Sequence, residues 1–346
     1  MRILVTGHLG YIGPIMVRLL KASGHHVTGL DVGYFRECVS DGATEVKPDR
    51  EIVRDLRDVS LSDVSKHDAT VHLAGLSNDP MGALDPEVTN DINYIASMKL
   101  ATLAKSAGHT RFVFASSCSL YGAAGGDRPL TEQAPLEPIS AYAKCKAKVE
   151  EGLAQLADKC FSPVYLRNAT AYGVSPRMRF DLVLNNLMGW AKTTGSIRVL
   201  SDGTPWRPLV HIEDICRAAL AALEAPTHQI HNQAFNIGRS DANYTVKEIA
   251  ETVARKVPDA KVMITGEIGG DPRSYRVDFS KAEKMLSNFM PEWTIEQGCE
   301  ELNSWFSRDW LADKSFESRF FVRLKQLKYL SANGLVDNAL RPIVSL

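Results

Sequence analysis

The chain has 346 residues, is 45% hydrophobic and 23% charged, and carries a formal net charge of -1. That length holds one large α/β domain with an elaborated second lobe, or two domains. The near-neutral balance gives no basis for nucleic acid or an anionic membrane surface as partner. No apolar run approaches the roughly 20 residues that a membrane span needs. The opening MRILVTG runs straight into a strand pattern, unlike a signal peptide. The six cysteines are scattered without CxxC pairs, so neither a zinc site nor a disulfide framework is expected. A reducing, cytoplasmic setting is the expectation.

In chain order the first half alternates. RILVT is a short apolar run rich in β-branched residues, YIGPIMVRLLKAS has helical spacing, and HHVTGLD and ATVHLAG read as further strands. EVTNDINYIASMKLATLAKSAG predicts one long helix, RFVFASS a strand, EPISAYAKCKAKVEEGLAQLADK a helix and SPVYLRNA a strand. Strands alternating with helices of this length imply βαβ units and a parallel sheet. After about Tyr172 the pattern loosens, with helices predicted near 181–193, 213–224, 245–256, 280–286 and 294–309. The expected fold class is α/β: a Rossmann-type doubly wound parallel sheet with a smaller α/β C-terminal substrate-binding lobe. Residues 1–172 are assigned to the dinucleotide-binding domain. Residues 173–346 are assigned mainly to the substrate lobe, partly interleaved with the core. The basic, apolar RFFVRLKQLKYL predicts a C-terminal amphipathic helix that packs on the body or on another subunit.

TGHLGYIG places Gly7, Gly10 and Gly13 between the first strand and the first helix. Glycines there permit a tight turn, close approach of backbone to a diphosphate and close helix packing. The helix N-terminus, with Tyr11 and Ile12, offers free N–H groups to the phosphates. Asp31 ends the second strand about 20 residues on, where a ribose-binding acid belongs. Its charge favours NAD over NADP, although Arg36 could meet a 2′-phosphate.

Ser116 and Ser117 lie at the carboxyl end of a buried strand, where open parallel sheets bind ligands. Tyr142 and Lys146 fall one helical turn apart on one face. These features together resemble the short-chain dehydrogenase/reductase superfamily, and more narrowly its extended branch, which acts on nucleotide sugars. DLRD (Asp55–Asp58), HLAG (His72–Gly75), NYIAS (Asn93–Ser97), SSCSLYG (Ser116–Gly122), RPLVHIEDICRA (Arg207–Ala218) and RVDFSKAEKML (Arg276–Leu286) extend the resemblance over about residues 1–300 in order.

The resemblance implies roles. Tyr142 would be the general acid/base toward a sugar hydroxyl or ketone. Lys146 would favour its phenolate and hold the nicotinamide ribose. Ser117 would bond the same substrate oxygen, with Asn93 supporting that network. Asp55, Leu56, Leu73, Ala74 and Gly75 would line the NAD site. Arg207 and Arg276 would meet a nucleoside diphosphate, since a planar guanidinium fork suits phosphate oxygens. Arg177, Arg179, Asn185 and Asn186 are further candidates there, and Ser77, Cys118 and Ser119 could touch the sugar.

The family's 4,6-dehydratases carry an acidic pair where this chain has Cys118 and Ser119, which disfavours that reaction. Thr170 also replaces the asparagine of LRxxNxYG, so the substrate pocket departs from that of a standard galactose epimerase. The leading expectation is 4-epimerisation of a nucleotide sugar, with hydride passing to bound NAD and back through a transient 4-keto sugar. The alternatives are NAD(P)H-dependent reduction of a 4-keto-6-deoxy sugar or an atypical dehydration. Relatives of this kind pair the helices carrying Asn93 and Tyr142, so a homodimer is expected.

Overall fold

The computed structural model describes residues 1–40, 43–122, 124, 128–267, 273–308 and 315–344. The strands and principal helices run β1 (Arg2–Thr6), α1 (Gly13–Ala22), β2 (His26–Asp31), β3 (Arg50–Val53), β4 (Ala69–His72), α2 (Ala96–Ser106), β5 (Arg111–Ser117), α3 (Ala141–Leu156) and β6 (Ser162–Asn168). They continue as β7 (Thr170–Tyr172), α4 (Val183–Thr194), β8 (Ser196–Val199), β9 (Trp206–His211), α5 (Ile212–Glu224), β10 (Gln233–Ile237), β11 (Asn243–Thr245), α6 (Val246–Lys256), β12 (Lys261–Ile264), α7 (Ile295–Phe306) and α8 (Arg323–Ala332).

Seven parallel strands form the main sheet in the order β10-β6-β5-β4-β1-β2-β3. Strand order reverses between β1 and β4, which opens a crevice at their carboxyl ends. The strands are apolar on both faces because helices cover both. Ile3 and Val5 join the core on one side of the sheet, and Leu4, between them, joins the other. This is the period-two alternation of a strand. The last strand comes from far along the chain: β10 pairs with β6 in the register Gln233↔Val164 to Ile237↔Asn168. Two smaller sheets also form, a three-stranded one in the order β11-β9-β7 and a two-stranded one, β12-β8.

The predicted long helix over Glu87–Gly108 differs in one respect. Pro86–Asn90 is followed by a π-helical turn, Asp91–Ile95, before α2 begins. Such widened turns concentrate at functional sites. This one carries Asn93, whose side-chain oxygen accepts from Leu76 N (2.8 Å) and whose amide donates to Leu76 O (3.0 Å).

The basic C-terminal stretch does form a helix, α8, which packs on the body. Leu327, Leu330, Val336 and Leu340 share a separate apolar cluster with Tyr34, Leu76, Met81, Val88 and Ile92. No helix among the described residues is long and apolar enough to cross a membrane. No cluster of metal-ligating side chains occurs among them either.

Candidate active site

The crevice at the strand ends is one cavity of about 700 Å³. Its walls include Asp31, Asp55 and Leu56, then Tyr142 and Lys146, and also Arg207, Arg273 and Tyr275.

The glycine loop forms its floor. Gly7 has φ +78°, and a Cβ there would lie 2.7 Å from Ala74 N, so both conformation and close approach require glycine. At Gly13, the first residue of α1, a Cβ would lie 2.3 Å from His8 O. Tyr11 and Ile12 line the cavity, but the Tyr11 phenol turns away, donating to Gly173 O (2.5 Å) and accepting from Asn185 (2.9 Å). Asp31 is held at the end of β2 by Leu9 N (3.0 Å) and Gly33 N (2.9 Å). Asp55 caps the short turn Leu56–Asp58 and is forked to Arg57. Leu73, Ala74, Gly75 and Ser77 continue the wall after β4.

Tyr142 and Lys146 stand one turn apart on α3, whose N-terminus is capped by Ser140. Ser140 also donates to Asp79, anchoring the short helix Asp79–Gly82 against α3. Lys146 Nζ lies 5.7 Å from the Tyr142 ring centroid and donates to Ala115 O at 2.7 Å. Burial lowers its pKa to about 8, against the raising effects of Cys145 and Glu150. The Tyr142 phenol is pushed up to about 12, first by burial and then by the Asp79 charge. A hydrogen bond with the Ser117 side chain and the charges of Arg179 and Arg273 oppose that rise. Below pH 8 the resting pair is therefore a phenol beside an ammonium. Phenolate formation needs a further positive charge close by.

Behind this pair lies a buried network outside the sequence expectations. Glu150 continues the Tyr142–Lys146 face by one more turn. It accepts from Ser116 Oγ at 2.5 Å and from Arg167 at 2.7 to 3.2 Å, with both charged side chains 7% exposed. Arg167 also donates to the Tyr121 hydroxyl (3.2 Å). The network ties the end of β5, the end of β6 and the middle of α3 together. The period-four spacing Tyr142–Lys146–Glu150 was the available sequence signal.

Several expected site residues lie elsewhere. Cys118 is not in the cavity wall; its thiol is buried against Arg167 O (3.1 Å), and burial pushes its pKa up. The turn after β5 rotates Ser119 inward instead, and its buried hydroxyl has no partner among the described residues. Asn93 does not line the cavity, because both polar ends of its side chain are spent on Leu76. Asn185 is fully buried behind the wall, bonded to Gly173 N, Tyr11 and Arg179 O, while Asn186 lines the cavity. Arg276 lies over the Trp206 ring outside the wall, and Arg273 takes the cavity position. Arg177 is buried in an ion pair with Glu45 (2.6 Å), and Arg36 pairs with Glu51 (2.6 Å). Arg179 does reach the cavity, forked to Asp181 and bonded to Ser77 (3.1 Å). Arg207 and Thr170 line it too.

The glycine cradle, the helix N-terminus above it and the carboxylate at the end of β2 form a site for a dinucleotide. A family model described as the NAD dependent epimerase/dehydratase family matches residues 3–238. The chain belongs to this family. As an NAD-dependent epimerase/dehydratase family member it is an NAD-dependent enzyme, and its cradle fits that cofactor. The UDP-glucose 4-epimerase of Corynebacterium glutamicum is 28% identical over 338 residues, spanning 92% of this chain and 99% of that protein. The UDP-glucuronate 4-epimerase of Thermodesulfobacterium geofontis is 27% identical over 326 residues, spanning 87% and 95%. Among solved structures, MoeE5 in complex with UDP-glucuronic acid and NAD superposes with a TM-score of 0.76 at 26% identity, covering 89% of this chain and all 100% of that one. The NAD-dependent NDP-hexosamine 5,6-dehydratase TunA gives 0.76 at 25% identity, covering 89% and 99%.

Proposed function

We infer that the protein is a nucleotide-sugar 4-epimerase in which Tyr142 is the single acid/base. The observation that carries this reading is the set of proton-moving groups facing the cavity around Tyr142. Tyr142 has Ser117 and Lys146 beside it, while the two positions that would carry an elimination acid hold a buried thiol and a serine. Epimerisation needs one group that takes a proton from the sugar hydroxyl and returns it to the same oxygen.

NAD, when bound, supplies the hydride acceptor and its positive charge. The chain does the rest. Ser117 fixes the sugar oxygen beside Tyr142, and Lys146 holds positive charge one turn below. Arg207 and Arg273 offer guanidinium groups to a nucleoside diphosphate at the second-lobe end of the cavity. Relatives that are UDP-sugar epimerases support a uridine nucleotide as substrate.

Dehydration is the second reading, favoured by Asp79, a carboxylate lining the cavity whose charge acts on Tyr142. Asp79 is already committed to Ser140 and to an ion pair with Arg273 at 2.5 Å. Both of its carboxylate oxygens are therefore engaged within the protein. Incubating UDP-sugars with the enzyme and resolving the products by mass and NMR separates the readings. An isomer of unchanged mass supports epimerisation, and loss of water overturns it. Tyr142→Phe should lower turnover by at least about 100-fold while leaving NAD binding within a factor of about two. Near-normal turnover would remove Tyr142 from the chemistry.

We place the enzyme as a homodimer through the α2 and α3 faces, near which Ile95 is 53% exposed. Light scattering on the purified protein tests this, and a monomer refutes it.

A further inference from the structure

The tail beyond the family match is held by polar contacts as well as by its apolar cluster. Its ties converge on residues beside the cofactor end of the cavity. Arg57, next to Asp55 and Leu56, donates to Ala339 O (2.6 Å). Tyr34 donates to Leu340 O, and Gln326 donates to Tyr34 O (3.1 Å). Arg341 pairs with Asp58 at 2.7 Å.

Among the described residues of the tail, one lines the cavity: Arg323, 1% exposed. It sits over the Phe35 ring at 4.9 Å and donates to Phe320 O (3.2 Å) and Arg177 O (2.8 Å). No carboxylate pairs with it among the described residues. The acid that acts on it, Asp181, is forked to Arg179. Arg323 is also the first residue of α8, the positive end of the helix dipole, where a cation is disfavoured. Burial lowers its pKa to about 10. A buried guanidinium without a counter-charge is costly, and a bound anion removes that cost.

Two diphosphates belong to the proposed ligands, and the contacts favour the cofactor's. Arg323 touches Phe35, four residues past Asp31. It also bonds Arg177 O, and the Arg177 N–H donates to Ser175 Oγ (3.2 Å), which in turn donates to Tyr11 O of the glycine loop (2.7 Å). Arg207 and Arg273 serve the other end of the cavity. We propose that Arg323 binds the diphosphate of NAD, so that the tail supplies a cationic wall to the cofactor site that the glycine loop alone does not provide. The proposal rests on reading the cavity as a dinucleotide site.

Calorimetric titration of the full chain, freed of resident nucleotide, with ADP-ribose, adenosine and UDP tests it. Arg323→Met should weaken ADP-ribose on the order of 10- to 100-fold and leave adenosine and UDP within about two-fold. Arg323→Lys should recover part of the loss, because charge is kept and the fork is lost. Equal weakening of adenosine and ADP-ribose would make Arg323 a structural residue and overturn the proposal. So would unchanged ADP-ribose binding, or a loss confined to UDP. If the unaltered protein binds neither ADP-ribose nor adenosine, the dinucleotide reading itself falls.

Discussion

Lys146→Met should stabilise the cofactor-free protein while it disables the enzyme, and the gain should depend on pH in a defined way. The folded-state pKa of Lys146 is about 8 against 10.5 for an ordinary lysine, with burial as the leading cause. Between those values the unfolded chain holds the proton more tightly than the folded one. Stability of the unaltered protein therefore rises with pH across that window, and the penalty is complete below it. At about 1.4 kcal/mol per pH unit, the gap amounts to about 3 kcal/mol at pH 7 and to less than about 1 kcal/mol at pH 10. Methionine also gives up the bond to Ala115 O, but that loss is the same at both pH values. The quantity to measure is the difference between the two proteins in urea-unfolding free energy, at pH 7 and at pH 10. The advantage of the variant should shrink by about 2 kcal/mol on going to pH 10. A difference that stays constant with pH would refute the claim that Lys146 is held against its own protonation.

Three more outcomes are expected. Glu150→Gln leaves the Arg167 guanidinium buried without its counter-charge and should cost about 3–5 kcal/mol in chemical denaturation; a loss under about 1 kcal/mol would mean water reaches the pair. Gly7→Ala forces a side chain into a positive-φ position against Ala74 N. It should cost about 1–3 kcal/mol and lower NAD retention on gel filtration, and unchanged retention would show that the loop can shift. In the cofactor-free protein the ultraviolet difference between the unaltered chain and Tyr142→Phe should show no tyrosinate below about pH 10, because the phenol is raised to about 12. NAD should move that titration downward, and a midpoint near pH 7 without NAD would contradict the burial argument.

The sheet and the placing of Tyr142 beside Lys146 on the cavity wall were legible because both rest on local signals. Glycine spacing after a strand and alternating apolar runs report backbone geometry directly. Tyr-x-x-x-Lys reports one helix face. The misplacements at Cys118, Asn185 and Arg276 share another cause. Each sits within a few residues of a side chain that does face the cavity: Ser119, Asn186 and Arg273. The turn or loop geometry that decides which one points inward is not written in the spacing. Asn93 was read as part of the substrate network because nothing in NYIAS announces a π-helical turn. Glu150 carries a periodic signal, since it continues the Tyr142–Lys146 face by one turn. Arg323 had none, since its place depends on contacts with segments near residues 35 and 177.

Those distant contacts also bear on the order of assembly. Tyr34 and Leu340 are 306 residues apart, and Arg57 and Ala339 are 282 apart. The strands around the glycine loop can pair early, whereas closing a loop of that size comes late and slowly. A chain cut short just before Arg323 would keep every strand of the main sheet and still lack one side of the nucleotide pocket. Such a product would show a normal circular dichroism spectrum and an empty pocket, and secondary structure alone would not reveal the defect.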